Sequence, residues 1–266
     1  MQYVNLHNHS TYSDGQFSME DNVKSAIEKG MLALGFSDHS YTPCDESYCM
    51  MSQDYTAYLQ EIKGLKEKYR GKIALYAGIE LDYDSNPDTT AFDYCLASVH
   101  YIVREGKTYP IDHSLPQQVR CCRELFDGDK LAMARCYYGQ LVDHVKRCKP
   151  TFVGHFDVIA KFSYMPEEDP EYQEIASRAL EEIVKVCPYI EVNTGAIARK
   201  CKDTPYPARF LMEKMLALGA KPVLGSDRHH KDNLIFWFDE AVALLKDVGF
   251  THISRFEGNG FTDVEI

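Results

Sequence analysis

Short apolar runs alternate with amphipathic stretches along the whole chain, and this alternation permits few folds. Residues 3–6, 32–36, 73–79, 94–99, 151–154, 189–192, 222–225 and 253–256 read as strands. Stretches at about 18–29, 54–69, 130–147, 172–186, 208–218 and 235–248 read as helices. Ser18-Met19-Glu20-Asp21 has the form of a capping box, and Gly30, Gly71 and Gly219 stop their helices. Strands alternating with helices predict a parallel sheet with helices outside it. Seven or eight such units predict a closed or nearly closed barrel in one domain spanning 1–266. The junction between the third and fourth strands is too short for a full helix, so the barrel is distorted rather than regularly eightfold. Residues 104–128 contain two prolines and little periodicity, and read as an irregular excursion, a candidate lid. The segment with Pro166 and Pro170 reads as irregular too.

With 45% apolar residues in 266, the chain can bury a sizeable core. Its nine cysteines are odd in number, include the adjacent Cys121 and Cys122, and form no C-x-x-C pair, which favours reduced thiols. No apolar run approaches the roughly eighteen residues of a membrane span. No basic region followed by an apolar core opens the chain, so a cytoplasmic protein without a membrane partner is expected. A net charge of -11 argues against nucleic acid as a partner. It is compatible with a small phosphate ester, because bound divalent cations reverse the field locally.

The charged and imidazole residues are not scattered. His7 and His9 are two apart at the end of the first strand, so both point to one side. Asp14-Gly15 is a turn signal that returns a carboxylate towards them. Further candidates end later strands: His39, Glu80, His100, His155, and Asp227 with His229. Six of the first seven strand ends are marked in this way, the sixth being the exception. In an α/β barrel all these ends meet on one face. Nine candidates exceed the roughly three protein ligands of one catalytic zinc, and so suit two or three ions. An imidazole-rich set favours zinc, manganese or iron. His113, His144, His230 and His252 read as ordinary, and Asp38 as a residue that orients His39 or caps a helix.

Taken together, His7-x-His9 with Asp14, Ser37-Asp38-His39, Gly78-Ile79-Glu80, Ser98-Val99-His100, Gly154-His155-Phe156-Asp157 and Ser226-Asp227-Arg228-His229 resemble the polymerase and histidinol phosphatase (PHP) superfamily. They run from end to end of the chain in family order. The length, without an attached polymerase domain, resembles the histidinol-phosphatase branch. The resemblance implies a distorted (β/α)7 TIM-like barrel with three divalent ions, and hydrolysis of L-histidinol phosphate in histidine biosynthesis. It implies one ion on His7, His9, Glu80 and Asp227, a second on Glu80, His100 and His155, and a third on Asp14, His39 and His229. Many relatives carry histidine where Asp14 stands. Arg199, and Lys161 where relatives are expected to have arginine, match the cations that hold phosphate.

A hydroxide bridging two ions would attack phosphorus in line. Arg199 would add a charge-assisted contact, and Asp227 or a metal-bound water would handle the proton. Glu80, Asp227 and Arg199 are thus the expected catalytic residues. The rivals are an amidohydrolase-like metal hydrolase, which commonly places a bridging lysine mid-barrel, a nuclease or protein-tyrosine phosphatase of the same superfamily, and a metal-binding module without catalysis.

Overall fold

The computed structural model describes residues 2–229 and 234–266. β1 (Val4–Asn5) leads through α1 (Met19–Glu28) to β2 (Ala33–Phe36), and α2 (Tyr55–Lys68) leads to β3 (Ala74–Leu81). β4 (Tyr94–Ala97) follows with no helix between, as the short junction requires. A hairpin of β5 (Tyr101–Arg104) and β6 (Lys107–Pro110) comes next, then α3 (Leu115–Phe126), α4 (Lys130–Cys148) and β7 (Phe152–Val153). α5 (Pro170–Val184), β8 (Tyr189–Asn193), the single turn α6 (Gly195–Ala198), α7 (Arg209–Leu218), β9 (Lys221–Gly225) and α8 (Phe238–Val248) continue the alternation. An antiparallel hairpin of β10 (His252–Phe256) and β11 (Phe261–Glu265) completes it.

Seven strands form one sheet in the order β1-β2-β3-β4-β7-β8-β9, parallel at every pairing. The sheet curls until its edges meet only at the C-terminal rim. There Asn8 bridges Arg228, and the His9 amide donates to the Arg228 carbonyl at 3.0 Å. The result is the nearly closed, distorted barrel that the alternation predicts. β2 and β4 are buried at every position, which is why they read as unbroken apolar runs. Inside the barrel, Leu6, Tyr94, Leu96, Phe152, Val223 and Phe256 pack together. The Tyr94 hydroxyl donates to the carbonyls of Leu6 and Phe36, tying β4 to the two strands before β3. Its ring fits because positions 35 and 78 are glycine; a Cβ on Gly78 would lie 2.0 Å from the ring.

Four expectations need correction. Residues 104–128 are not irregular, for they hold the β5–β6 turn and the twelve-residue α3. Pro116 lies in the first turn of α3, where a missing N–H costs nothing. The buried positions of α3 are Gln118, Cys121, Cys122 and Phe126, a helical spacing masked because polar and sulfur side chains carry it. Pro170 likewise starts α5 behind the Asp169 cap, two residues earlier than expected. The run at 253–256 is not a barrel strand but half of the final hairpin, which turns at Gly258 and Gly260. The helix expected from 235 begins at Phe238, after a turn in which Trp237 adopts a left-handed conformation.

Candidate metal centre

β3 is the longest strand of the barrel and carries Glu80 to the centre of the C-terminal face. Five imidazoles surround this one fully buried carboxylate. Oε2 faces His7 Nε2 at 3.2 Å, His39 Nδ1 at 3.1 Å and His9 Nε2 at 3.5 Å. Oε1 faces His155 Nε2 at 3.1 Å and His100 Nε2 at 3.6 Å. Because β9 meets β1 at the rim, Asp227 also arrives here, its Oδ1 lying 3.3 Å from His9 Nε2 and 3.6 Å from His7 Nε2. Asp14 sits at the exposed mouth, 3.1 Å from His229 Nε2 and 3.7 Å from His39 Nε2. All nine residues singled out from the sequence therefore converge. They fall into four overlapping groups, each with one donor atom per residue, all within 4.8 Å of one another: His9, Asp14, His39 and His229; His7, Glu80 and His155; His7, His9 and Asp227; His39, Glu80 and His100.

The electrostatics suit cations. Burial works against charge on Glu80, but His7, His39 and His100 outweigh it and hold the carboxyl well below its ordinary range. Burial likewise opposes charge on Asp227, where Arg199, His7 and His229 keep the carboxylate ionised. Burial disfavours a proton on His100, yet Asp82 and Glu80 raise it to about 10. Burial, His229 and His39 together lower His9 to about 3, so this ring stays neutral. Its Nε2 is buried and has no hydrogen-bond partner. A neutral imidazole nitrogen without a proton partner, aimed at two carboxylates, is the donor arrangement of a divalent metal site. Imidazole and carboxylate together fit zinc, manganese or iron.

Residues outside the nine hold them in place. Asp38 does not bond His39. Its carboxylate accepts from the amides and hydroxyls of Ser10 and Ser13, pinning the loop between His9 and Asp14. Asn22 of α1 donates to the His9 carbonyl and accepts from the buried Arg228. Asp82 accepts from His100 Nδ1 at 2.9 Å, and Glu191 pairs with His7 Nδ1 at 2.8 Å. The sequence signals for these two were a carboxylate two residues beyond Glu80, and a glutamate inside the apolar run 190–192.

The centre opens into a cleft of about 280 Å³, lined by Asp14, His39, Tyr48, His100, Tyr101, Asp112, His113, Lys161, Arg199, Asp227 and His229. Both expected phosphate cations reach it. Arg199 Nη2 pairs with Asp227 Oδ2 at 2.5 Å, and Nη1 donates to the Asp227 carbonyl at 3.1 Å. Lys161 Nζ donates to the Asp112 carbonyl at 2.7 Å and to its carboxylate at 3.2 Å. His113 is on the cleft wall, contrary to its reading as ordinary, edge-on to Tyr48. His144 is buried and bonds the Leu81 carbonyl, and His252 lies exposed at the start of β10. His230 lies outside the described residues. No described helix is long and apolar enough to cross a membrane.

Comparison with known proteins agrees with this geometry. A protein of Schizosaccharomyces pombe named "Probable histidinol-phosphatase" is 27% identical over 295 residues, covering 97% of this chain and 92% of its own. The histidinol-phosphatase of Bacillus subtilis is 22% identical over 240 residues, covering 82% of this chain and 89% of its own. The crystal structure of Lactococcus lactis histidinol phosphate phosphatase, complexed with zinc, L-histidinol and phosphate, aligns with a TM-score of 0.73 at 23% identity. That alignment spans 98% of this chain and 99% of the other, so the two share a fold. The sequence profile of the PHP domain matches residues 5–195, well over half the chain, and the protein belongs to the PHP domain family.

Proposed function

We propose that this protein is a metal-dependent phosphomonoester hydrolase that converts L-histidinol phosphate and water to L-histidinol and phosphate. The observation that carries the reading is the ring of five imidazoles within 3.6 Å of Glu80, beside a cleft that also holds Arg199 and Lys161. Three divalent ions, zinc, manganese or iron, fit the donor set. His7, His9, Glu80 and Asp227 would hold one, Glu80, His100 and His155 a second, and Asp14, His39 and His229 a third. The two oxygens of Glu80 face different imidazole sets, as a bridging carboxylate requires. Bound ions would supply a low-pKa water and neutralise phosphoryl charge.

The chain's own residues do the rest. Arg199 presents a planar guanidinium to two phosphate oxygens. Lys161 adds a point charge at the same end; Asp112 occupies two of its three donors and leaves one for the substrate. Asp227, held ionised, is the residue that would take the proton of the attacking water. Tyr48, Tyr101 and His113 offer an aromatic wall to the imidazole of the leaving alcohol, and Asp112 an acidic neighbour for its amine. Support for this substrate comes from two relatives named for it, and from the Lactococcus lactis structure with L-histidinol and phosphate bound. The net charge of -11 weighs against a polynucleotide. Glu80 faces the five imidazoles at the centre, where an amidohydrolase-like hydrolase commonly has a bridging lysine.

A panel of L-histidinol phosphate, p-nitrophenyl phosphate, a phosphotyrosine peptide and single-stranded DNA tests the assignment. The highest kcat/KM is expected for L-histidinol phosphate. A preference for the peptide or the DNA would overturn it.

A further inference from the structure

The sixth strand of the barrel order, β8, is the one whose end carries none of the nine donors, yet it sends a glutamate into the barrel. Glu191 is fully buried between Ile190 and Val192. Its Oε1 lies 2.8 Å from His7 Nδ1. Its Oε2 accepts from the His155 amide at 2.8 Å and from Asn193 Nδ2 at 2.9 Å. The next strand makes room for it: a Cβ on Gly225 would lie 1.8 Å from Oε1. We infer that Glu191 is a positioning residue that fixes the tautomer and aim of His7 and anchors His155, so setting the affinity of the centre for its metals. The inference rests on the proposed role of His7 and His155 as ligands.

Two N–H groups occupy Oε2, and a carboxylate only accepts, so His7 must donate from Nδ1 to Oε1. The Nδ1–H tautomer leaves the lone pair on Nε2, which points at Glu80 Oε2 3.2 Å away. A bare lone pair facing a carboxylate at that distance is repulsive, so a proton or a metal cation must lie between them. With Nδ1 committed to Glu191, Nε2 is the nitrogen through which His7 would ligate a metal. The same carboxylate holds the backbone of His155, whose Nε2 faces the other oxygen of Glu80. One buried side chain thus orients residues on both sides of the proposed bridge. Carboxylates that orient ligand imidazoles typically change metal affinity by about ten- to a hundredfold when removed.

Glu191→Gln is the informative substitution. If the amide oxygen faces His7, the NH2 group meets two other donors. If the amide is flipped, its NH2 faces His7 Nδ1 and selects the tautomer that cannot ligate through Nε2. Chelator competition on the purified variant should therefore show one or more metals held about ten- to a hundredfold more weakly. The cobalt-loaded variant should show a changed visible spectrum, which a merely structural role would not produce. Unaltered affinity together with an unaltered cobalt spectrum would overturn the inference.

A measurement on the unaltered protein stands even if the variant does not fold. In zinc-loaded protein with 15N-labelled histidine, His7 should show a hydrogen-bonded Nδ1 proton and a metal-bound Nε2. Metal bound through Nδ1, or a bare Nδ1, would overturn the inference while leaving the metal reading intact. Failure of the unaltered protein to bind any divalent metal would instead overturn the reading on which it rests.

Discussion

Glu80 is buried and Arg199 half-buried at the same rim, and different losses follow from removing them. Among the described residues Glu80 is the only carboxylate that faces five imidazoles. Glu80→Gln keeps the shape and removes the charge. Elemental analysis should then find at least one metal missing, with kcat lower by orders of magnitude; retention of both metals and rate would remove the bridging role. Arg199 pairs with Asp227 and lies 3.3 Å from His229 Nδ1, but a guanidinium has no lone pair to offer a metal. Arg199→Ala should keep its metals and fold but lose about 1.5–3 kcal/mol of transition-state binding, roughly ten- to a hundredfold in kcat/KM. A fall in kcat as well as a rise in KM would show that the contact strengthens as charge shifts to the phosphoryl group. Arg199→Lys should recover part of the loss, since a lysine keeps the charge but not the paired geometry. Wild-type kinetics in the alanine variant would leave Lys161 as the phosphate cation.

The elements place these residues by strand length and closure. β3 is eight residues long and reaches the rim, whereas β1 and β7 are two residues each and end early. The Tyr94 ring wedges between β1, β2 and β3, in space vacated by Gly35 and Gly78. Gly78→Ala should push that ring off its two carbonyls, costing at least about 1–3 kcal/mol, read as a lower urea midpoint. Because Glu80 is two residues along the same strand, the variant should also hold metal more weakly. An unchanged midpoint would show that the ring is not fixed. The strands were legible in the sequence because each is an apolar run with a chemical residue at its end. The turn of α3 was not, because Gln118 and two cysteines occupy the buried stripe and Pro116 reads as a breaker although it lies in the first turn. Glu191 was overlooked because only strand ends were searched, and it lies inside a strand.

At the scale of the molecule, convergence follows from topology. Residues as far apart as His7 and Asp227 meet because a parallel barrel puts every C-terminal strand end on one face, and because Asn8 and Arg228 close the seam there. That is why nine positions could be picked out without contacts, from spacing and strand ends alone. How they share ions could not, since His9 and His39 each belong to two of the overlapping groups. The cleft wall was equally hidden: Tyr48 comes from the segment between β2 and α2, and Asp112 and His113 from the one after the β5–β6 hairpin, far from any strand end of the barrel sheet. The direct test is to strip the enzyme of metal, verify the removal, and follow phosphate release from L-histidinol phosphate during titration with Mn²⁺, Zn²⁺ or Fe²⁺. The account predicts no activity in the stripped protein and recovery that saturates at about three ions per chain, the number the donor set suits. Full activity in a verified metal-free preparation would contradict it.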